Sequence, residues 1–477
     1  MQKEDLAVPA SRQQRANFDA VAYENSEWRK LSSYYFEDLK KYIQFLVLPN
    51  SSVLEIGCRT GEVLSSLQCS KGVGIDSSEG AIRLARRKFP ALEFRSETYD
   101  QISINETFDY VIVSDAIGYV DDVQEVFQAL QKFCRPDTRI IITYFNYLWS
   151  PLLKLSEFLN FRMKRPVQHW LPLNDFQNIL HLSNFEVIKK SYRMLCPFKI
   201  PVLSSFLNRF VANLPFFWKL CVNEIIVARP APAGERDERL SCSVIIPCRN
   251  EKGNIQPAID RTPAFTGKTE FIFVEGHSKD GTLEECYRVQ KLYPEKDIKV
   301  YVQGGVGKAD AVHKGLKEAK SDILMILDAD LTTPPEDMAK FYEAITNGKG
   351  ELVIGSRLVY QMEKDAMRFL NLLGNKFFSR AFSYILEQPI RDTLCGTKVI
   401  RRRDYEKIVR GRSYFGDFDP FGDFDLIFGA VKLNLRIAEI PVHYKDRTYG
   451  TTQIRRFHHG WLLLKMTVFA MFKLKFI

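Results

Sequence analysis

The chain has 477 residues, and because one domain usually takes about 100–200 residues, two or three domains are expected. Hydrophobic residues make up 45% and charged residues 26% of it, proportions typical of globular proteins that exclude a disordered or collagen-like chain. The formal net charge of +9 is spread along the whole length, so it favours small anionic ligands or an anionic membrane face. That density of charge gives no indication of nucleic-acid binding.

Cysteine usage and the hydropathy pattern indicate where the protein works. The 9 cysteines are odd in number and none is spaced as CxxC, which argues against a disulfide framework or a structural zinc site and favours a reducing compartment. Residues 1–15 are charged and contain no apolar core, so no signal peptide is expected. No run approaches the ~18 consecutive apolar residues of a membrane span. A cytoplasmic protein is therefore predicted.

The domain organisation follows from one segment near the middle of the chain. Residues 229–240 are rich in proline, alanine and charge, and they separate two strand-like runs, which is typical of a linker. We therefore predict a first domain over residues 1–228, a second over 241–455 and a C-terminal helix over 456–477. Both domains alternate short β-branched runs with helical stretches, which predicts an α/β fold with two mostly parallel sheets and crossover helices.

In the first domain, acidic residues and glycines follow the ends of predicted strands. A strand over residues 52–57 enters a turn that begins at Gly57 and ends at Gly61, and a second strand ends at Asp76. Glycine lets the backbone approach a ligand closely, and an acid at the end of the next strand can accept hydrogen bonds from both ribose hydroxyls. A dinucleotide and S-adenosylmethionine both suit this arrangement, and the acid-led spacing from Glu55 to Gly61 favours the second.

These motifs resemble those of the class I S-adenosylmethionine-dependent methyltransferases, over about residues 20–190. The resemblance implies a Rossmann-like domain whose cofactor-binding residues are Glu55, Gly57, Gly61, Asp76 and Asp115. Glu55 and the glycines would border the methionine moiety, Asp76 would hold the ribose, and Asp115 would lie beside the acceptor. The chain departs from the family pattern at two places, because Arg59 replaces the middle glycine of the turn and residues 95–97 replace the usual Gly-Asp-Ala.

The methyl acceptor is not readable from the sequence. Tyr144, Asn146 and Tyr147 follow a predicted strand and either line the acceptor pocket or form an aromatic wall of the core. His169 is a candidate general base, with a packed or surface histidine as the alternative.

In the second domain, polar turns again follow buried strands. Asn250 and Glu251 follow the first strand, Glu275 ends the second, and the loop 304–308 is rich in glycine and ends in a lysine suited to phosphate. The apolar strand 323–327 then ends in Asp328-Ala-Asp330. Two carboxylates so close together after a buried run are costly unless a cation joins them, and hard oxygen ligands indicate Mg²⁺ or Mn²⁺.

This order of motifs resembles glycosyltransferase family 2, with its GT-A nucleotide-sugar fold, and within it the polyprenyl-phosphate glycosyltransferases of the dolichyl-phosphate mannose synthase type. The resemblance implies that the metal is held by Asp328 and Asp330 and that Arg357 faces the active site. It implies nucleotide-sugar binding by Pro247, Asn250, Glu251, Glu275, Lys308, Asp328 and Arg447. It implies acceptor binding by Arg368, Lys376 and Lys398.

The nature of the acceptor decides which further group the reaction needs. A lipid phosphate is already anionic and needs orientation more than deprotonation, whereas a hydroxyl acceptor requires a carboxylate base. Asp392 is the first candidate for that base and Asp425 the second.

Together these features predict a bifunctional transferase. A nucleotide sugar would donate to a polyprenyl phosphate or a membrane-held glycan with inversion, and S-adenosylmethionine would supply a methyl group, in surface polysaccharide or glycolipid synthesis. The alternative is a glycosyltransferase alone, with a degenerate methyltransferase-like module that binds or regulates. The sequence does not indicate the oligomeric state.

The C-terminal segment carries Lys465, Lys473 and Lys475 among leucine, phenylalanine, methionine and valine. On a helix of ~100° per residue these lysines share one side, which predicts a helix that lies on an anionic membrane surface. That would place the protein peripherally at the cytoplasmic face of a membrane. The alternative is that the helix packs on the second domain.

Overall fold

The computed structural model describes residues 27–99, 101–120, 122–159, 170–232, 239–360, 369–416, 422, 424–450 and 456–477. The chain forms two compact units that divide between Ala231 and Pro232, and the last two residues are grouped with the first unit. Residues 233–238 of the expected linker lie outside the described part. The two units are described separately.

The first unit is built on a seven-stranded sheet of order β3-β2-β1-β4-β5-β7-β6. Its strands are β1 (Ser51–Ile56), β2 (Cys69–Asp76), β3 (Glu93–Ser96), β4 (Phe108–Ser114), β5 (Cys134–Phe145), β6 (Phe185–Arg193) and β7 (Asn223–Pro230). Its helices are α1 (Glu27–Leu46), α2 (Glu62–Ser65), α3 (Glu79–Lys88), α4 (Val123–Leu130), α5 (Ser150–Phe158), α6 (Leu173–Leu182) and α7 (Leu203–Arg209).

Both faces of this sheet are buried along its central strands, as the apolar run of β4 predicts. On β4, Val111 and Val113 pack on one face with Phe127 of α4, and Ile112 packs on the other face with Ile43 of α1. The strands are parallel except β7, which runs antiparallel between β5 and β6. The carboxyl ends of β1, β2, β4, β5 and β6 therefore lie along one edge, together with the start of β7.

The second unit also contains a seven-stranded sheet, of order β10-β9-β8-β11-β13-β12-β14. Its strands are β8 (Cys242–Cys248), β9 (Thr269–Glu275), β10 (Asp297–Val302), β11 (Ile323–Ile326), β12 (Leu352–Ser356), β13 (Lys398–Arg401) and β14 (Ile437–Pro441). Its helices are α8 (Ile255–Arg261), α9 (Thr282–Leu292), α10 (Lys308–Glu318), α11 (Met338–Thr346), α12 (Phe369–Leu386), α13 (Arg402–Gly411), α14 (Phe424–Lys432) and α15 (Arg456–Ala470).

Only β13 is antiparallel to its neighbours in this second sheet. Its first residue, Lys398, pairs with Ile326, the last residue of β11, so the start of β13 lies at the edge where the parallel strands end. Both units thus have mostly parallel sheets with crossover helices, and the predicted α/β fold class is confirmed.

The C-terminal helix α15 packs on its own unit with one side. Leu463, Met466 and Ala470 are buried, and α15 and the π-helical turn that follows it contact α12. The expectation of a shared basic side is wrong for Lys475, which is buried and paired with Glu387. The outward side is mainly apolar and carries Trp461, Leu464, Lys465, Val468 and Phe472. No helix among the described residues is both long and apolar enough to cross a membrane.

Candidate active sites

In the first unit, a left-handed turn joins β1 to α2. Gly57 and Gly61 have φ angles of +74° and +78°, which favour glycine. A Cβ on Gly57 would lie 2.7 Å from the Cβ of Ala116, so even alanine would force the turn away from the end of β4. The turn must therefore lie close to the sheet edge where the predicted cofactor residues gather.

Glu55 lies inside the protein, behind this turn. Its carboxylate accepts hydrogen bonds from the Leu64 N–H (3.1 Å) and the Ser114 hydroxyl (2.6 Å), so it connects β1 with α2 and with the end of β4. Burial raises its pKa to about 7. Since Glu55 is only 1% exposed, its contacts fit a residue that shapes the cofactor turn from behind.

Asp76 ends β2 and faces the same turn. Its two carboxylate oxygens accept hydrogen bonds from the backbone N–H groups of Arg59 and Ser78, both at 2.9 Å. Burial raises its pKa. Because each carboxylate oxygen can accept two hydrogen bonds, one acceptor position on each oxygen is left for a ribose hydroxyl.

Arg59, the residue that departs from the family pattern, adopts the left-handed backbone conformation that the missing glycine would favour, with φ at 51°. Its guanidinium group lies 3.8 Å from the Asp115 carboxylate and 5.4 Å from the centre of the Phe36 ring. The arginine therefore keeps the turn geometry and places a cation at the sheet edge, beside Asp115.

Asp115 follows β4 and is held on both sides. Its carboxylate accepts a hydrogen bond from the Thr143 hydroxyl (2.8 Å), and the Tyr35 hydroxyl lies 2.9 Å from its other oxygen. The same tyrosine hydroxyl lies 2.8 Å from the side-chain oxygen of Asn223, at the start of β7. Tyr35, Thr143 and Asn223 come from three distant parts of the chain, and local sequence patterns did not identify them.

The three candidates at the end of β5, Tyr144, Asn146 and Tyr147, have different surroundings. Tyr144 is buried, stacks on Phe176 at 4.7 Å and hydrogen-bonds to Glu224, so it forms part of a core wall. The amide of Asn146 donates to the carbonyl groups of residues 219 and 221. Tyr147 is exposed.

In the second unit, the ends of β8 and β9 are joined by side chain to backbone hydrogen bonds. Asn250, with φ at 56°, donates its N–H to the Ser278 hydroxyl (2.9 Å) and accepts from the Lys279 N–H (2.9 Å). The Glu275 carboxylate accepts from the Ser278 N–H at 2.5 Å. Pro247 pairs with the residue before Glu275. Three of the predicted nucleotide-sugar residues, Pro247, Asn250 and Glu275, thus lie at one polar turn at the sheet edge.

Asp328 lies at this same edge, two residues after β11. The Lys308 ammonium group, at the start of α10, is 2.6 Å from its carboxylate. Burial raises the pKa of Asp328, but Lys308 and, with smaller effects, Lys398 and Arg357 hold it below its ordinary value. A Cβ on Gly396 would lie 2.0 Å from a carboxylate oxygen of Asp328, so glycine is needed there.

Asp330 is paired with a different cation. One Arg447 nitrogen lies 2.6 Å from Asp330 and another lies 2.9 Å from Glu251, so the guanidinium group bridges the ends of β8 and β11. The hydroxyl and N–H of Thr332 donate to the other oxygen of Asp330. Burial raises the pKa of Glu251. Lys308 and Arg447 thus place two cations on three acids.

The predicted metal ligands are Asp328 and Asp330. No group of three or more histidine, cysteine or acidic residues suited to a metal occurs in the part of the chain that the structure describes. Two carboxylates on neighbouring positions supply hard oxygen atoms, and a Mg²⁺ or Mn²⁺ ion usually completes its coordination with diphosphate and water. The donor atoms of Asp328 and Asp330 therefore fit a metal that arrives with a nucleotide.

Arg357 and Asp392 form a second, buried ion pair. The Nε and one terminal nitrogen of Arg357 donate to the two carboxylate oxygens at 2.7 and 2.9 Å, and Asn375 donates to one of them at 3.0 Å. Burial raises the pKa of Asp392, but Arg357 overcomes this effect and holds the pKa below its ordinary value. The structure therefore does not support Asp392 as a proton-accepting base.

Asp425, the second candidate base, is also engaged. Its carboxylate lies 2.6 Å from Arg412 and 3.5 Å from His313 on α10. A base at Asp425 stays a prediction.

Comparisons with known proteins assign the two halves. Residues 243–409 match the family described as glycosyl transferase family 2, and residues 29–190 match the family described as a methyltransferase domain. The chain carries a methyltransferase domain and a family 2 glycosyltransferase domain.

Similar proteins include the dolichol-phosphate mannosyltransferase of Pyrococcus furiosus, which is 29% identical over 45% of this chain and 60% of its own length. The glycosyltransferase AglJ of Haloferax volcanii is 28% identical over 44% of this chain and 64% of its own. The alignments thus span less than two thirds of either relative. The crystal structure of the N-methyltransferase NodS of Bradyrhizobium japonicum with S-adenosyl-L-homocysteine covers 46% of this chain and 96% of NodS, at 14% identity and a TM-score of 0.32.

In the glycosyltransferase domain, two of the three cations predicted to hold the acceptor are described, and they lie in different surroundings. Lys376 is exposed on α12. Lys398 is buried, and its ammonium group donates to the carbonyl of Cys395 at 2.6 Å. Its positive charge helps to lower the pKa of Asp328. Arg368 lies outside the described residues, as does His169 of the methyltransferase domain.

Proposed function

We propose that the second domain transfers a sugar, with inversion, from a nucleoside-diphosphate donor to a polyprenyl phosphate or a membrane-held glycan. The observation that carries the proposal is the group of Asp328, Asp330 and Glu251, with Lys308 and Arg447 between them, at the carboxyl ends of β8 and β11. Ligands of open parallel sheets bind outside these strand ends.

Donor binding would use the cations that now neutralise the acids. Lys308 begins α10 directly after a glycine loop, and Arg447 lies within reach of both neighbouring strand ends. When a diphosphate enters, both cations can donate to its oxygens and stabilise the negative charge that develops on the leaving group. The polar turn around Asn250 and Glu275 is the proposed nucleoside pocket.

Asp328 and Asp330 would hold a divalent cation, Mg²⁺ or Mn²⁺, whose charge adds to that of Lys308 and Arg447 on the diphosphate. Lys308 holds the pKa of Asp328 below its ordinary value, so the ligand atoms of this carboxylate are available at neutral pH. The ion is expected only together with the donor, since the protein supplies so few of its ligands.

The acceptor is inferred from the site and from the similar proteins. Since Asp392 and Asp425 are both held in ion pairs, an acceptor that needs no base is favoured, and a phosphate is such an acceptor. The relative named dolichol-phosphate mannosyltransferase supports a polyprenyl phosphate. Lys376 and Arg357 are the proposed acceptor-side cations, with Lys398 acting through its charge.

We further propose that the first domain transfers a methyl group from S-adenosylmethionine. Asp76 would bind the ribose with its two remaining acceptor positions, and the turn from Gly57 to Gly61 would border the methionine moiety, with Glu55 fixing the turn. Asp115 and Arg59 would lie on the acceptor side. Titration calorimetry tests this domain, because Asp76→Ala should weaken binding of the cofactor by about 10-fold or more through loss of its charged hydrogen bonds.

The two activities would meet in surface polysaccharide or glycolipid synthesis at the cytoplasmic face of a membrane. None of the nine cysteines, all of which lie among the described residues, forms a disulfide, which suits a reducing compartment. The outward apolar side of α15, with Trp461 and Phe472, is proposed to rest on the lipid surface.

The direct test is to incubate the full chain with a panel of nucleotide sugars, Mn²⁺ and polyprenyl phosphate, and to follow the transfer of labelled sugar to lipid. A labelled lipid that forms with one donor supports the proposal. Hydrolysis without transfer to lipid would exclude the polyprenyl phosphate and leave a glycan acceptor.

A further inference from the structure

The methyltransferase domain exposes its large apolar side chains in one region. Among its described residues, every exposed large apolar side chain except Leu182 belongs to residues 147–159 or 198–220. We call these two segments the apolar surface. Phe158, Phe198, Val202 and Phe216 are 80%, 65%, 84% and 69% exposed. Large exposed apolar side chains concentrated in this way mark an interaction site.

The two segments are joined at their bases. The indole N–H of Trp149 donates to the Leu220 carbonyl at 2.7 Å, and the amide of Asn146 donates to the Lys219 carbonyl at 2.8 Å. The backbone of Asn146 also bonds to Val222. The start of α5 therefore lies beside the end of the segment 198–220.

Two exposed apolar residues of this surface have a strained backbone conformation. Val202 and Phe216 have φ angles of 64° and 75°, a left-handed region that β-branched and bulky residues rarely adopt. Such strain persists only where the surrounding structure enforces it and is concentrated at functional segments.

The charges on the apolar surface identify its partner. The segment 198–220 contains Lys199, Arg209 and Lys219 and no acidic residue, and α5 adds Lys154 and a single acid, Glu157. Lys154, Lys199 and Lys219 are exposed. Two copies of this surface would bring like charges together, so self-association is disfavoured, whereas aromatic and basic residues together suit the interface of an anionic bilayer.

We propose that the apolar surface docks the methyltransferase domain on an anionic lipid bilayer. The segments follow β5 and β6 at the edge where Asp115 lies, and the Tyr35 hydroxyl joins Asp115 to Asn223 at the start of β7. Docking would therefore bring the bilayer to the acceptor side of the domain. The inference that the methyl acceptor is held in lipid rests on the proposed function. The docking of the domain on a bilayer does not depend on it.

The test uses the full chain and vesicles of phosphatidylcholine with or without phosphatidylglycerol. Hydrogen exchange reports on the surface locally, so slower exchange in peptides covering residues 198–220 is expected with the anionic vesicles only. Substitutions Phe158→Gln, Val202→Asn and Phe216→Asn should together weaken vesicle binding about 10-fold or more, because they remove buried apolar area. Asparagine tolerates the left-handed backbone, so the fold is retained.

The matched control is Leu182→Gln, an exposed apolar residue at the opposite edge of the same sheet, which should leave exchange and binding unchanged. Raising the salt concentration should weaken binding, as should Lys154→Gln, Lys199→Gln and Lys219→Gln, at about fivefold per lysine.

Two results would overturn the proposal. One is unchanged exchange at residues 198–220 in the presence of vesicles. The other is a dimer in sedimentation velocity that the triple apolar variant abolishes, since a second copy would then be the partner. Calorimetry with S-adenosylmethionine on the wild-type chain separates the two proposals, because a chain that binds vesicles but no cofactor refutes the methyl transfer alone.

Discussion

The Lys308 ammonium group lies 2.6 Å from the Asp328 carboxylate, which joins the start of α10 to the acid beyond β11. A donor diphosphate would replace Asp328 as the partner of the Lys308 ammonium group. Lys308→Met should therefore weaken nucleotide-sugar binding about 10- to 100-fold, the value of a charged hydrogen bond, while Lys308→Arg keeps most of it. Lys314→Met on the same helix is the control, because Lys314 pairs with Glu318 away from the sheet edge. Equal donor affinity in the Lys308 and Lys314 variants would contradict this role.

The ion pair between Arg357 and Asp392 is predicted to position residues and not to exchange protons. Asp392→Asn removes one partner of a buried pair, so the free energy of unfolding should fall by about 3–5 kcal/mol. Asp297→Asn, which loses only an exposed pair with Lys299, should change it by less than about 1 kcal/mol. The pH profile of the remaining transfer should keep its shape. An acid limb that vanishes in Asp392→Asn would instead identify a base.

The raised pKa of Glu55 predicts how the stability of the methyltransferase domain depends on pH. Its folded pKa of about 7 lies above that of an exposed glutamate, so the folded state binds the proton more tightly. Stability is therefore greatest below the unfolded pKa and falls by about 3 kcal/mol as the pH rises to about 7. Glu55→Gln should lack this fall. Denaturant unfolding of both proteins between pH 5 and 8 measures it, and parallel curves would refute the assignment.

The outward side of α15 is predicted to contact lipid. Removing the whole helix would expose the core contacts of Leu463 and Met466, so surface substitutions are the better test. Trp461→Gln, Leu464→Gln and Phe472→Gln together should lower sedimentation with anionic vesicles about 10-fold. The matched control changes three exposed apolar residues elsewhere in the domain, Tyr287, Leu292 and Val409, to glutamine. If both sets sediment alike, α15 is not a contact.

The sequence predicted the features that are local and missed those that are formed by distant segments. Apolar runs followed by an acid located Asp76 and Asp328 at strand ends, because parallel strands place their carboxyl ends at one edge. The antiparallel insertion of β7 was not predicted, since its pairing depends on contacts across the fold. The ion pair of Asp392 with a residue 35 positions earlier was missed for the same reason. Lys475 was expected on the surface because helical periodicity does not show which side another helix covers.

Asp328 and Asp330 are proposed to form the donor site of a sugar transferase. The most direct measurement is the rate of labelled sugar transfer to polyprenyl phosphate by Asp330→Asn, which keeps the shape of the side chain but removes its charge. The rate is expected to fall about 10²–10³-fold in Asp330→Asn and to stay unchanged in the control Asp297→Asn. A rate for Asp330→Asn close to that of the wild type, in a protein with normal circular dichroism, would contradict it.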